Sequence, residues 1–285
     1  MAKATIIHPG FYSSIQDLGR LNYRNIGVPQ SGAMDMETAT MLNKSLGNTP
    51  EDAILEMITI GATLKFNASA YLSVSQNVDQ VYVNDFSVDF SKIVKIKKGD
   101  HLKIGRVTTG NFIYVAIAGG WQTEKVLGSR SMYAGITNVS RLSVDDFIAY
   151  ESVECDVDLV RFRESDTTKG NLIPVFEGPE FHLLLEAIKK AIFEKELIVS
   201  KSWNRMAFNA STDLKVDLQQ IKTAPVTPGM VQFTPNGELL FLMRDAQTTG
   251  GYPRILQLTE DALVTMVQLQ PGSSFQLKRK FKSSK

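Results

Sequence analysis

The residues best suited to chemistry stand at the end of an apolar run. Leu239-Leu240-Phe241-Leu242-Met243 leads into Arg244-Asp245-Ala246-Gln247-Thr248-Thr249-Gly250-Gly251-Tyr252-Pro253. A strand would thus deliver a carboxylate, an amide and two hydroxyls to a pair of glycines. Without Cβ atoms, glycines let a ligand approach the backbone and expose N–H donors. Such donors can hold the oxyanion that develops in acyl or carboxyl transfer. Asp245, Gln247 and Thr248 are the candidate catalytic groups, Asp245 as acid or base. Thr249, Gly250, Gly251 and Tyr252 are candidates to line the site. A tight β-turn with polar decoration would have the same composition.

Two further segments combine glycines with an arginine. Ser13-Ser14-Ile15-Gln16-Asp17-Leu18-Gly19-Arg20 precedes Gly27-Val28-Pro29-Gln30-Ser31-Gly32-Ala33-Met34-Asp35. Arg20 could meet an anionic group, and the helix that begins here could face a carboxylate; equally, Asp17 and Arg20 could form a surface pair. Ala118-Gly119-Gly120-Trp121 with Leu127-Gly128-Ser129-Arg130-Ser131 is either a second ligand-lining loop or a structural corner. Arg20, Arg130 and Arg205 are the candidates to neutralise a carboxylate or a phosphorylated intermediate.

Several familiar chemistries lack their residues. No Gly-x-x-x-x-Gly-Lys-Ser/Thr loop and no strand-borne Gly-x-Gly-x-x-Gly occurs, so a nucleotide site is not expected on this chain. His8, His101 and His182 are far apart and have no partner at metal-ligand spacing, so no metal is expected. Cys155 stands between Glu154 and Asp156, which oppose a thiolate. There is no Gly-x-Ser-x-Gly elbow.

The elements that must position these residues are mostly strands. Tyr71 to Ser75, Gln80 to Val83 and Phe112 to Ala118 are short, rich in β-branched or aromatic residues, and bounded by turn formers. Ile93 to Lys97, Lys98-Gly99-Asp100 and Leu102 to Ile104 read as strand, turn, strand. Val267 to Leu269, Gln270-Pro271-Gly272 and Phe275 to Leu277 repeat that pattern, a hint of two related β-domains. Helical periodicity predicts helices over 33–46 and 179–196, and a short one capped by Thr259. The polar stretch Glu164 to Asn171 predicts a linker between an N-terminal β-rich domain, 1–164, and a C-terminal domain, 172–285.

Lysine and arginine number 31 against 30 acids, so no net field recommends nucleic acid or an anionic membrane as partner. The basic tail from Lys278 to Lys282 reads as a solvated end. Hydrophobic residues at 43% and charged residues at 21% fit a soluble globular protein. With one cysteine, no apolar signal core at the N-terminus and no membrane-length apolar run, a cytoplasmic location is expected.

Taken in order, these segments resemble one family over about residues 8 to 277. Gln16-Asp17-Leu18-Gly19-Arg20, Gly27 to Asp35 and Asn43-x-x-x-Gly47-Asn48 are similar to its opening signature. Ala118-Gly119-Gly120 with Leu127 to Ser131 is similar to its middle. Trp203-Asn204-Arg205-Met206 and Gln247 to Pro253 resemble its C-terminal blocks. The family is that of KipA, allophanate hydrolase subunit 2 and the 5-oxoprolinase C-subunit, with a biotin-dependent carboxyltransferase-like domain.

The resemblance implies a mainly β fold with a few helices, built from tandem cyclophilin-like β-barrel domains. It implies a subunit of an ATP-dependent 5-oxoprolinase-type hydrolase that opens the lactam of 5-oxoproline to glutamate and is active only with partner subunits. ATP would be bound wholly or partly by those partners: a homologous first subunit (of the KipI or 5-oxoprolinase B-subunit type) and a lamB/YcsF-type subunit. The alternatives are a urea carboxylase-like carboxyltransferase, with biotin arriving on a separate carrier because no Ala-Met-Lys-Met site is present, or a KipA-type regulatory protein binding a kinase inhibitor. Ser75-Gln76-Asn77, Gly135 to Arg141 and Ala207 depart from the family's glycine pattern, and the first two departures point to a divergent substrate or reduced catalysis.

Overall fold

The computed structural model describes residues 1–153, 171–214, 218 and 220–281. Cys155 and the expected linker up to Gly170 lie outside the described residues, as does Lys282. The chain divides into two compact units. One comprises Met1–Leu21 with Ser31–Ser165, the other Asn22–Gln30 with Asp166–Lys285.

In the first unit the strands are β1 (Ala2–His8), β2 (Tyr12–Gln16), β3 (Ile54–Ile58), β4 (Thr63–Phe66), β5 (Ala70–Val74) and β6 (Val81–Val83). They continue with β7 (Phe86–Ser87), β8 (Val94–Ile96), β9 (His101–Ile104), β10 (Phe112–Ile117), β11 (Trp121–Gln122) and β12 (Phe147–Tyr150). A seven-stranded sheet runs β11-β12-β1-β4-β9-β6-β7, and a five-stranded sheet runs β2-β3-β10-β5-β8. The two sheets share one core, to which Ile6, Leu64 and Leu102 contribute from one side and Leu55, Val115 and Leu72 from the other. Phe66, Trp121 and Tyr150 lock the sheet end, with ring centroids 5.8 to 6.5 Å apart.

Strand alternation gives the five-stranded sheet a second, polar face. Ser14, Glu56 and Tyr114 sit opposite one another across β2, β3 and β10. Helix α1 (Met36–Ser45) and the segment before it cover that face. Met34 N–H donates to Glu56 Oε2 at 2.7 Å, and Asp35 N–H to the Tyr114 hydroxyl at 2.8 Å. The Tyr114 hydroxyl in turn donates to Glu56 Oε2 at 2.9 Å. Burial, reinforced by Glu56 and Asp35, pushes the Tyr114 phenol well above its usual value, so it stays a neutral donor. Asp35 is the N-cap of α1, accepting from Thr38 N–H at 2.9 Å.

The second unit holds β13 (Leu172–Glu177), β14 (Leu197–Val199), β15 (Ala207–Ser211), β16 (Ala224–Pro225) and β17 (Met230–Phe233). It is completed by β18 (Glu238–Leu242), β19 (Thr249–Gly250), β20 (Arg254–Leu258) and β21 (Ser274–Arg279). Seven of these close a barrel in the order β13-β20-β17-β18-β15-β14-β21, with β13 and β21 parallel. Alternate residues fill it, among them Val175, Phe208, Val231, Phe241, Leu256 and Phe275. Helices α2 (Glu186–Glu194) and α3 (Glu260–Gln268) accompany the barrel. The fold is mainly β with a few helices, as expected.

Three local expectations change. The 179–196 helix is interrupted: Phe181–Leu183 form a 3-10 turn, Leu184 and Leu185 are extended, and α2 begins at Glu186. Gly178 N–H bonded to Ile255 O and Glu180 bonded to Arg254 hold the start of this segment to β20. The two strand, turn, strand readings also fail as a repeat. β8 and β9 enter different sheets, whereas Val267 and Gln268 belong to α3, because Leu263, Met266 and Val267 are buried together at helical spacing.

Candidate functional site

The C-terminal candidates are assembled by the antiparallel ladder of β15 and β18. Ala207 pairs with Leu242, and the ladder continues past the strand ends. Met243 N–H donates to Met206 O at 2.9 Å, and Asp245 N–H to Arg205 O at 2.9 Å. That register places the two side chains face to face. Arg205 Nε donates to Asp245 Oδ2 at 2.8 Å and Nη2 to Oδ1 at 3.0 Å, with both residues buried. Asn204 Oδ1 accepts from the N–H groups of Met206 and Ala207 at 2.8 and 3.1 Å, fixing the turn that aims Arg205. Trp203 packs on Phe208, with centroids 4.7 Å apart.

Beyond Asp245 the chain turns into the Gln247 to Pro253 loop. β19 pairs with β16, Gly250 opposite Ala224 and Thr249 opposite Pro225. Val226 N–H donates to Thr248 O at 3.0 Å, but the reciprocal ladder bond is not made. The Val226 carbonyl accepts instead from Arg24 Nη2, which also donates to Gln247 O at 3.2 Å. Consequently, among the described residues, the N–H groups of Gln247 and Thr248 have no protein acceptor. Nor do the hydroxyls of Thr248, Thr249 and Tyr252 make a hydrogen bond there. Arg24 has no carboxylate partner among the described residues, and burial lowers its guanidinium below the usual value. The loop therefore concentrates uncompensated donors and one positive charge, which suits an anionic or developing oxyanionic group.

Three further residues hold the loop. Buried Gln232 donates to Tyr252 O at 3.2 Å and accepts from Gln247 Nε2 at 3.4 Å. A Cβ at Gly250 would stand 2.5 Å from Gln232 Nε2, so glycine lets the backbone come this close. Arg254 Nη1 donates to Pro225 O at 2.8 Å, while its Nε and Nη2 grip Glu180 at 2.8 and 2.6 Å. Arg254 hydrogen bonding holds the Glu180 carboxyl below the usual range against a smaller opposing effect of burial, and the same pairing raises Arg254. Arg24, Glu180, Gln232 and Arg254 do not stand out in the sequence. Arg24 lies 202 residues from Val226, and only the assignment of Asn22–Gln30 to this unit makes them neighbours.

In the first unit, Asp17 organises the other candidates. Its Oδ1 accepts from Gly19 N–H at 2.8 Å, Ser129 Oγ at 2.6 Å and Ser131 Oγ at 2.7 Å, and its Oδ2 from Arg130 N–H at 2.6 Å. Arg20 is buried and donates to the carbonyls of Val126, at 3.2 Å, and Ser131. Asp17 and Arg20 are thus not a surface pair, and these Arg20 donors serve the backbone. The half-buried Arg130 donates through Nη2 to Gln122 Oε1. No group of three or more metal-ligating side chains lies together among the described residues.

One of the stretches that depart from the glycine pattern, Ser75-Gln76-Asn77, is stitched by its side chains. Gln76 Nε2 donates to the carbonyls of Val74 and Phe90, and Asn77 Nδ2 to those of Thr109 and Phe112. Ala207 takes its place in the Asn204 turn described above.

Known proteins share this architecture. The chain is 29% identical over 276 residues to the 5-oxoprolinase C-subunit of Escherichia coli (strain K12), covering 94% of this chain and 88% of that protein. The crystal structure of TTHA0988 superposes with a TM-score of 0.86 at 21% identity, covering 98% of this chain and 55% of the other. That of the Kluyveromyces lactis urea carboxylase gives 0.83 at 24% identity, over 96% of this chain and 27% of the other. The chain thus spans about half, or less, of the length of these solved structures, whose likeness shows the fold. Residues 26–279, nearly the whole chain, match the family described as the carboxyltransferase domain, subdomain A and B, and the protein belongs to that family.

Proposed function

We propose that this chain is a subunit of an ATP-dependent 5-oxoprolinase-type complex, opening the lactam of 5-oxoproline to glutamate together with partner subunits. The observation that carries this reading is the end-to-end likeness to a 5-oxoprolinase C-subunit, across 94% of this chain and 88% of that one. The geometry supports it. Attack on an amide carbonyl pushes charge onto oxygen, and the Gln247 and Thr248 N–H groups, with Arg24 behind them, are donors of the kind that hold such charge. Thr248, Thr249 and Tyr252 offer hydroxyls to orient the ring. Asp245, held by Arg205, keeps the loop in register, and in this reading its contribution to catalysis is made through position.

ATP in such a reaction supplies activation of the amide oxygen. This chain offers no phosphate loop, and its partners, of the homologous first-subunit and lamB/YcsF types, are the proposed nucleotide-binding chains. A carboxyltransferase role is the second reading, favoured by the family description itself and by the urea carboxylase fold match; biotin would then arrive on a separate carrier.

The test is genetic. A strain lacking this gene should lose growth on 5-oxoproline as sole nitrogen source while keeping growth on urea, and the intact gene should restore it. Loss of urea use with unimpaired 5-oxoproline use would favour the second reading and remove the first.

A further inference from the structure

A cavity of about 490 Å³ opens in the first unit, between the Gln122 to Met132 segment and the Thr137 to Ala149 segment. That volume is within the usual range of small-molecule sites, roughly 300–1,000 Å³. Val126, Met132, Leu142 and Phe147 give it an apolar lining, and Arg130 supplies its one arginine.

Arg130 differs from the other two arginines expected to meet an anion. Arg205 is committed to Asp245, and Arg20 donates to backbone carbonyls. Arg130 makes no ion pair among the described residues, and its one side-chain partner there is the neutral Gln122 Oε1. Gln122 cannot readily turn away, because its Nε2 donates to Gly119 O at 2.8 Å. The backbone beneath is equally fixed, since Arg130 N–H and the Ser129 and Ser131 hydroxyls all converge on Asp17. A guanidinium has five N–H donors in a planar fork. One donor aimed by a pinned amide leaves the others for a ligand, and a carboxylate is the planar group that takes two at once.

The remaining charges narrow the ligand. Glu124, Asp145 and Asp146 also line the cavity, so carboxylates outnumber the arginine. A di- or triphosphate, with several negative charges, would meet far stronger repulsion there than the single charge of a monocarboxylate. Glu124 accepts from Asn138 Nδ2 at 3.2 Å and Asp146 from Ser143 N–H at 2.7 Å, which leaves each carboxylate acceptor capacity for an N–H donor on the ligand. Thr137, Asn138 and Val139, which belong to a stretch departing from the family's glycine pattern, form part of the wall.

We infer that this cavity binds a small organic carboxylate with an apolar body and an N–H donor, its carboxylate on Arg130. The assignment rests on the cavity alone and holds whichever reaction the complex performs. Calorimetry on the full chain with three probes tests it: 5-oxoproline, pyrrolidin-2-one (the same ring without the carboxylate) and inorganic phosphate. 5-Oxoproline should bind, at least about tenfold more tightly than either of the others. Arg130→Gln, which keeps the backbone bond to Asp17, should weaken it about tenfold or more, Arg130→Lys less, with unchanged circular dichroism and melting. Leu142→Trp, which fills the cavity, should abolish the Arg130-dependent binding. Equal affinity for pyrrolidin-2-one, tighter binding of phosphate, undiminished binding by Arg130→Gln in a folded protein, or no binding of 5-oxoproline at millimolar concentration would each overturn the assignment. Arg130-dependent binding by a chain whose complex has no 5-oxoprolinase activity would leave the site standing and remove only the hydrolase reading.

Discussion

With both oxygens of Asp245 held by Arg205, the carboxylate is an acceptor whose first consequence is mechanical. Removing one partner of a buried pair strands the other charge, at a cost of about 3–5 kcal/mol, whereas replacing both with apolar groups of similar volume is often near neutral. Asp245→Ala should therefore lower unfolding free energy by that amount in urea titrations, and Arg205→Met with Asp245→Leu should lower it less than Asp245→Ala alone. A single substitution that leaves stability within about 0.5 kcal/mol would contradict the pairing. Glu180 makes a pH-dependent contribution. Its folded pKa is depressed by Arg254, so its stabilisation is present above the unfolded value, about 4.3, and disappears as pH falls through the folded value. The melting temperature of the wild type should exceed that of Glu180→Gln near neutral pH, and the gap should close in acid. A gap that widens on acidification would reverse the assigned sign.

At the scale of elements, a strand end, a two-residue ladder and an arginine from a distant segment together make the candidate loop. Arg24 takes the carbonyl that a regular ladder would give to Thr248 N–H. Arg24→Ala should let that ladder close and lower kcat of the assembled enzyme, by about 10²-fold if a single oxyanion donor is lost. Its melting temperature should change little; unchanged kcat would deny the loop its role. The loop itself was legible in the sequence, because an apolar strand running into Gln-Thr-Thr-Gly-Gly is a local signal. Arg24 was not legible, since its partners are long-range carbonyls that leave no mark on spacing. The helices show the same division. Thr259 caps α3, accepting from Ala262 N–H at 3.1 Å, as its position before Glu260 and Asp261 predicts. Thr259→Ala should cost about 1 kcal/mol in chemical denaturation, and a neutral outcome would show that packing of Leu263 and Met266 alone sets the helix start. The break before α2 was hidden, because the Glu180 to Arg254 pairing that stops the helix joins residues 74 apart.

At the scale of the whole molecule, the proposed function makes this chain one part of a larger machine, on the ground of its end-to-end likeness to a 5-oxoprolinase C-subunit. A stable shared site buries more than about 1,200 Å² in total, so light scattering should show a hetero-oligomer when this chain is mixed with the homologous first subunit proposed as its partner. No shift on mixing at micromolar concentration would sink the shared-site account. The most direct measurement is glutamate release from 5-oxoproline by purified components. The chain alone should release none, and release should appear when the first-subunit and lamB/YcsF-type partners and ATP are added, falling steeply when Arg24→Ala replaces the wild-type chain. Glutamate release by the single chain, or none from the full assembly while the same assembly carboxylates urea from a biotinylated carrier, would contradict the account.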